Sequence, residues 1–138
     1  MSHRAGLIPY WVDKNTNEIK MYFMKPSNEQ FGGPDYQIAK GRIDEGYTEL
    51  ETALKEAKEE LGLRPSNMKG QPIFIGNFMK GIAIYAVEVE SKDDFDAPEF
   101  ETGETRWLNL NEYEQIGRKL QMYAVYNAHR KITKASGL

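Results

Sequence analysis

Residues 40–63 read KGRIDEGYTELETALKEAKEELGL, a glycine loop followed by a helix of unusual charge. Thr48 is placed to cap that helix, and Leu50, Ala53, Leu54, Ala57 and Leu61 follow the i, i+3, i+4, i+7 spacing of a buried stripe. Gly62 stands where such a helix stops. At about 100° per residue, Glu56, Glu59 and Glu60 fall within an arc of roughly 100° set away from the stripe. Glu56 and Glu60 are like charges four residues apart, which costs roughly a few tenths of a kcal/mol unless a cation lies between them. Three carboxylates aimed at one volume suit a hard divalent ion such as Mg²⁺ or Mn²⁺, which takes oxygen ligands and shares them with phosphates. A plainly solvated helix face has the same composition, and Glu51 with Lys55 forms an ordinary i, i+4 pair there.

Outside this stretch, β-type segments dominate. AGLIPYWV (5–12) reads as a strand, DKNTNE as a polar turn, and IKMYFMK as the strand that returns antiparallel. PSNEQFGGP is a loop, and DYQIA a short strand running into Gly41. QPIFIGNF and GIAIYAVEVE form a second pair, SKDDFDAPEFETGE an acidic exposed loop, and TRWLNL a final strand. From Asn111 to Ile132, Tyr113, Ile116, Leu120, Tyr123, Ala124 and Tyr126 fit a second amphipathic helix, with Gly117 as a point of interruption. The expected fold is α+β, an α/β/α sandwich whose mixed sheet is flanked by the 49–61 helix and a C-terminal helix.

Composition narrows the function. The 138 residues are 40% hydrophobic and 28% charged, as expected for one soluble domain spanning 1–138. Cysteine is absent, so disulfides, thiolate metal sites and cysteine nucleophiles are excluded, and two histidines leave little for imidazole chemistry. His129, among Asn127, Arg130 and Lys131, has no assigned role. The net charge of −3 argues against a broad nucleic-acid surface. The N-terminus lacks a signal-peptide layout and no apolar run reaches a membrane-spanning length, so a cytoplasmic protein with no membrane partner is expected.

Residues 41–63 resemble the Nudix box, in which a glycine is followed by five residues, Glu, seven residues, and then Arg-Glu-U-x-Glu-Glu-x-Gly-U, with U aliphatic. Gly41, Glu56, Glu59, Glu60, Gly62 and Leu63 match in register. Tyr47 replaces the first Glu, Lys55 the Arg, and Ala57 is a small form of the aliphatic residue. In the family the first Glu and the Arg commonly brace the loop against the helix, and a Tyr47 hydroxyl with a Lys55 ammonium is a weaker substitute. Both brace positions have changed while the three ligand positions have not.

The resemblance implies a Mg²⁺- or Mn²⁺-dependent pyrophosphohydrolase that cleaves a nucleoside diphosphate linked to another moiety. It implies metal binding by Glu56, Glu59 and Glu60 with Gly41 nearby, and general-base catalysis by Glu56 or Glu60. A further loop glutamate often joins the cluster six residues before a tryptophan. Glu101 holds that position before Trp107, with Glu99 and Glu104 as competitors. Lys40 and Arg42 are candidate phosphate ligands, and Tyr36, Tyr47, Phe31 and Trp11 candidate stacking groups. AKG before the box is similar to members acting on dinucleoside polyphosphates such as diadenosine tetraphosphate. PEF at 98–100 is similar to RNA 5′-pyrophosphohydrolases, so nucleic acid enters only as a 5′-end substrate. The departures at Tyr47 and Lys55 also keep open a catalytically silent Nudix-like module that binds nucleotide or protein.

Overall fold

The computed structural model describes residues 2–138. Strand β1 (Arg4–Val12) organises the sheet. Along one side it runs parallel to β5 (Ile82–Glu88), from Arg4 opposite Ile82 to Tyr10 opposite Glu88. Two strands share its other side. The end of β1 pairs antiparallel with β2 (Ile19–Pro26), and its beginning pairs antiparallel with β3 (Ala39–Arg42). β4 (Ile73–Phe78) adds to β5, and β6 (Thr102–Leu108) adds to β2, both antiparallel.

Alternation along β1 and β5 explains the layering. Ala5, Leu7, Ala83 and Val87 point to the face covered by α1 (Glu49–Leu61), where Ala53 and Ala57 meet them. Ile8, Tyr10, Ile84 and Ala86 point to the opposite face, covered by α2 (Leu110–Ile116) and α3 (Met122–Ala135) through Tyr113, Val125, Ala128 and Ile132. Each successive side chain of a strand crosses the sheet, so a strand with apolar residues at every position must be covered on both sides. The result is the expected α/β/α sandwich on a mixed sheet. Among the described residues, no helix is long and apolar enough to cross a membrane.

Two boundaries differ from expectation. The short strand lies at Ala39–Arg42 rather than 35–39, so the Lys-Gly-Arg segment is strand and not loop. Its cause is remote, because β1 supplies the hydrogen-bonding edge from Arg4 to Leu7. The last strand begins at Thr102 and ends at Leu108, because Asn109 caps α2 by accepting from the Glu112 amide at 2.8 Å. The C-terminal helix is interrupted at Gly117, as expected, and resumes only at Met122.

Candidate active site

Helix α1 carries the acidic residues, and both of its ends are secured. The Thr48 hydroxyl accepts from the Glu51 amide at 3.1 Å while the Glu51 carboxylate accepts from the Thr48 amide at 2.9 Å, a reciprocal capping box. At the other end Gly62 is left-handed, with φ 76°, and terminates the helix. The acidic loop then docks on carbonyls that a helix end leaves unpaired. The Glu99 amide donates to the Glu59 carbonyl at 2.8 Å, the Asp96 amide to the Gly62 carbonyl at 2.9 Å, and the Thr102 hydroxyl to the Glu60 carbonyl at 2.8 Å. This docking carries Glu101 to the cleft that Glu60 also lines.

The three box glutamates occupy different surroundings. Glu56 sits against Gly41, where a Cβ would collide with its carboxyl group. The glycine is therefore needed to admit the glutamate, a more specific cause than close approach by a ligand. Glu60 accepts from the Lys40 amide through Oε1 at 3.1 Å. Burial pushes its carboxyl up to about 8 and the Glu56 charge adds to this, against the Lys40 amide and ammonium that lower it. The Glu56 carboxyl is also raised, by burial first and then by the Glu59 charge. Glu101 raises both. Glu59 is drawn outward to Lys55, whose Nζ lies 3.3 Å from Glu59 Oε2 and 3.7 Å from Glu56 Oε2.

Two expectations are corrected by this arrangement. The three carboxylates do not meet at one point: the Lys55 ammonium stands between Glu56 and Glu59. Among the described residues no three acidic or imidazole side chains stand close enough to hold one ion as placed. Tyr47 also does not brace Lys55: it is 48% exposed, and the ammonium faces the two glutamates instead. The donor chemistry still fits a hard divalent ion. Glu56 and Glu60 are partly buried carboxylates, both raised by burial and then by a neighbouring carboxylate, Glu59 for Glu56 and Glu56 for Glu60.

Beside Glu60 and Glu101 opens a cleft of about 440 Å³, lined also by Lys40, Gln37, Ser27, Asn28, Phe31 and Phe100. Burial holds the Lys40 ammonium below its ordinary value, and the Arg118 guanidinium lowers it further. Nothing in the sequence around Arg118 marks it. It lies in the break after α2, where its amide donates to the Tyr36 carbonyl at 2.7 Å and its Nη1 to Gln37 Oε1 at 3.4 Å. Arg42 lies on β3 opposite Arg4, exposed and outside the cleft lining. Tyr36 is 1% exposed and donates its hydroxyl to Glu104, so its expected role against substrate is corrected to a core one. The same bond occupies Glu104. Trp11 packs with the α1 layer beneath Lys92, whose Nζ is 4.6 Å from its ring centre.

Comparison with known proteins bears on this site. A family model of the NUDIX domain matches residues 15–133. The chain belongs to the Nudix family. Nudix membership makes it a hydrolase of pyrophosphate bonds, and Nudix hydrolases generally use divalent metal ions. Comparison with curated proteins gives no match. Among solved structures it is similar to a binary complex of the C. elegans Ap4A hydrolase, with TM-score 0.73, 18% identity, and coverage of 98% of this chain and 99% of that one. A Nudix hydrolase from M. smegmatis, RenU, follows with TM-score 0.72, 15% identity and coverage of 97% and 86%. The NUDIX domain of Shewanella oneidensis NrtR, complexed with ADP ribose, has TM-score 0.70, 15% identity and coverage of 96% and 89%. At these identities the likeness is one of fold.

Proposed function

We propose that this Nudix protein is a Mg²⁺- or Mn²⁺-dependent pyrophosphohydrolase acting on a nucleoside diphosphate linked to another moiety, with dinucleoside polyphosphates such as diadenosine tetraphosphate as the favoured class. The observation that carries the reading is the pair Glu56 and Glu60, both raised by burial, with Glu60 raised further by the Glu56 charge and lining a cleft that also carries Lys40 and Glu101. Glu56, Glu60 and Glu101 would hold the ion, with Glu59 joining on release from Lys55 and Gly41 leaving room for the Glu56 carboxyl. A divalent ion, when bound, supplies charge that neutralises the polyphosphate and acidifies water.

The chain's own residues account for the remainder. A pyrophosphate repels an incoming hydroxide, so the Lys40 ammonium, which lines the cleft, would lower the barrier by meeting phosphate charge. Glu60 lines the cleft and is the better placed of the two candidates to accept a proton from attacking water, while Glu56 is held on Gly41 at the side. The AKG signature at 39–41 and the fold shared with the C. elegans Ap4A hydrolase support the substrate class. The absence of cysteine and of a membrane-spanning helix among the described residues agrees with a cytoplasmic place of work.

The test is a panel of diadenosine tetraphosphate, nucleoside triphosphates, ADP-ribose and 5′-triphosphorylated RNA, with Mg²⁺ or Mn²⁺, read by product separation. Preferred cleavage of the dinucleotide is expected. Preference for the RNA end would reassign the substrate, and no turnover of any member would favour a silent binding module.

A further inference from the structure

We infer that Gln121 is a positioning residue for the cleft: its side-chain carbonyl, acting through the Ile38 amide, sets where Lys40 meets phosphate. This rests on the reading of the cleft as a polyphosphate site. Gln121 is 0% exposed and lies outside the cleft lining, so it reaches a ligand only through the backbone it holds.

The need for it arises from a bend in the chain. Gln37 pairs with Met24 of β2, its amide donating to the Met24 carbonyl at 2.8 Å and its carbonyl accepting from the Met24 amide at 3.0 Å. Ala39 pairs instead with Leu7 of β1. Ile38 stands between the two pairings, and its amide donates at 2.8 Å to Oε1 of Gln121, 83 residues away. The glutamine thus stands in for a strand neighbour, and a buried amide without an acceptor would destabilise the fold. The break between α2 and α3 holds the same segment twice more. The Tyr36 amide donates to the Ile116 carbonyl at 3.3 Å, and the Arg118 amide donates to the Tyr36 carbonyl at 2.7 Å. Gln37, Ile38 and Lys40 all line the cleft, and the Lys40 amide donates to Glu60 Oε1 at 3.1 Å. A bend that relaxed at Ile38 would therefore displace the cation of the cleft.

The chemistry of residue 121 favours this role over packing. Burying an amide side chain costs free energy unless its polar atoms are paired. Gln121 Nε2 has no partner among the described residues, so only Oε1 offsets that cost. An apolar side chain of the same length would fill the space without the penalty, but it could not accept from Ile38. The opposite orientation of the amide would set Nε2 against the Ile38 N–H, donor against donor.

The experiment measures binding of methylenediphosphonate by calorimetry at one fixed Mg²⁺ concentration. It compares the parent with Gln121→Met, Gln121→Glu, Lys40→Met and the double variant of Gln121→Met with Lys40→Met. Gln121→Met keeps the length and removes the acceptor, and binding is expected to weaken by about fivefold to a hundredfold. Gln121→Glu keeps an acceptor oxygen and should stay within about threefold of the parent. In the Lys40→Met background, Gln121→Met should add less than about twofold, because a residue that acts through another is not additive with it. Binding by Gln121→Met equal to the parent's, equal losses in Gln121→Met and Gln121→Glu, or full additivity with Lys40→Met would overturn the inference and leave the phosphate reading standing. A parent that does not bind methylenediphosphonate fails both. Should Gln121→Met not fold, the parent decides by nuclear magnetic resonance. A scalar coupling across the hydrogen bond, from the Ile38 amide nitrogen to the Gln121 side-chain carbonyl carbon, is expected, with Ile38 amide exchange slowed by methylenediphosphonate. No coupling, or exchange unchanged by the probe, overturns the inference.

Discussion

Glu56 rests its carboxyl group on the bare backbone of Gly41, in space that any side chain at position 41 would take. Gly41→Ala must therefore move Glu56 or bend β3. The group displaced is the far end of a flexible side chain, so chemical denaturation should show a change of no more than about 1 kcal/mol. Hydrolysis should fall, because the Glu56 carboxyl is moved from its place. Unchanged turnover would mean that Glu56 does not depend on this contact.

Glu60 links activity to a penalty on the fold. Its carboxyl is raised from 4.5 to about 8, so the folded chain holds a proton that the unfolded chain has released. The associated stability is complete below about pH 4.5 and is lost as pH rises towards about 8. In a chelator, the melting temperature of the parent should carry this downward contribution across that window. Glu60→Gln should abolish it and melt higher at pH 8, while cutting turnover by orders of magnitude. A variant that keeps the parent's rate removes Glu60 from the chemistry.

Lys55 is the cation nearest two of the box glutamates. The pairs are partly exposed, so Lys55→Met should alter metal-free stability by only about 0–1 kcal/mol. It should, however, free Glu59. Calorimetric titration is expected to give tighter Mg²⁺ binding for the variant, and weaker or equal binding would show that Lys55 does not compete for those carboxylates.

Gly62 combines a left-handed φ of 76° with the close approach of the Asp96 carbonyl. Gly62→Ala should cost at least about 1 kcal/mol and loosen the loop that brings Glu101 in. Hydrogen exchange at the Asp96 and Glu99 amides should accelerate. Protection equal to the parent's would mean that the loop is held elsewhere.

Helix α1 was legible because local chemistry decides it: Thr48, the apolar period from Leu50 to Leu61, and Gly62 each act within a turn of their neighbours. Lys40-Gly41-Arg42 reads as loop in the sequence because its strand state comes from the β1 edge, which no local pattern reveals. Tyr36 has the same sequence character whether it stacks on a ligand or fills a core, and burial over Glu104 decided between them. The register of the box identified Glu56, Glu59 and Glu60, but not that Lys55 would claim Glu59 when its partner at position 47 is a tyrosine. Phe100 reaches the cleft through a docked loop, and tertiary placement alone gives it meaning.

The central claim is that a divalent cation reconciles Glu56 with Glu60. Its most direct test is electron paramagnetic resonance of Mn²⁺ titrated into metal-free protein, comparing the parent with the Glu56→Gln and Glu60→Gln variants. A saturable loss of the free-ion signal is expected in the parent, with at least about a tenfold weaker site in each variant. Mn²⁺ that stays free with the parent, or binds equally in all three proteins, contradicts it.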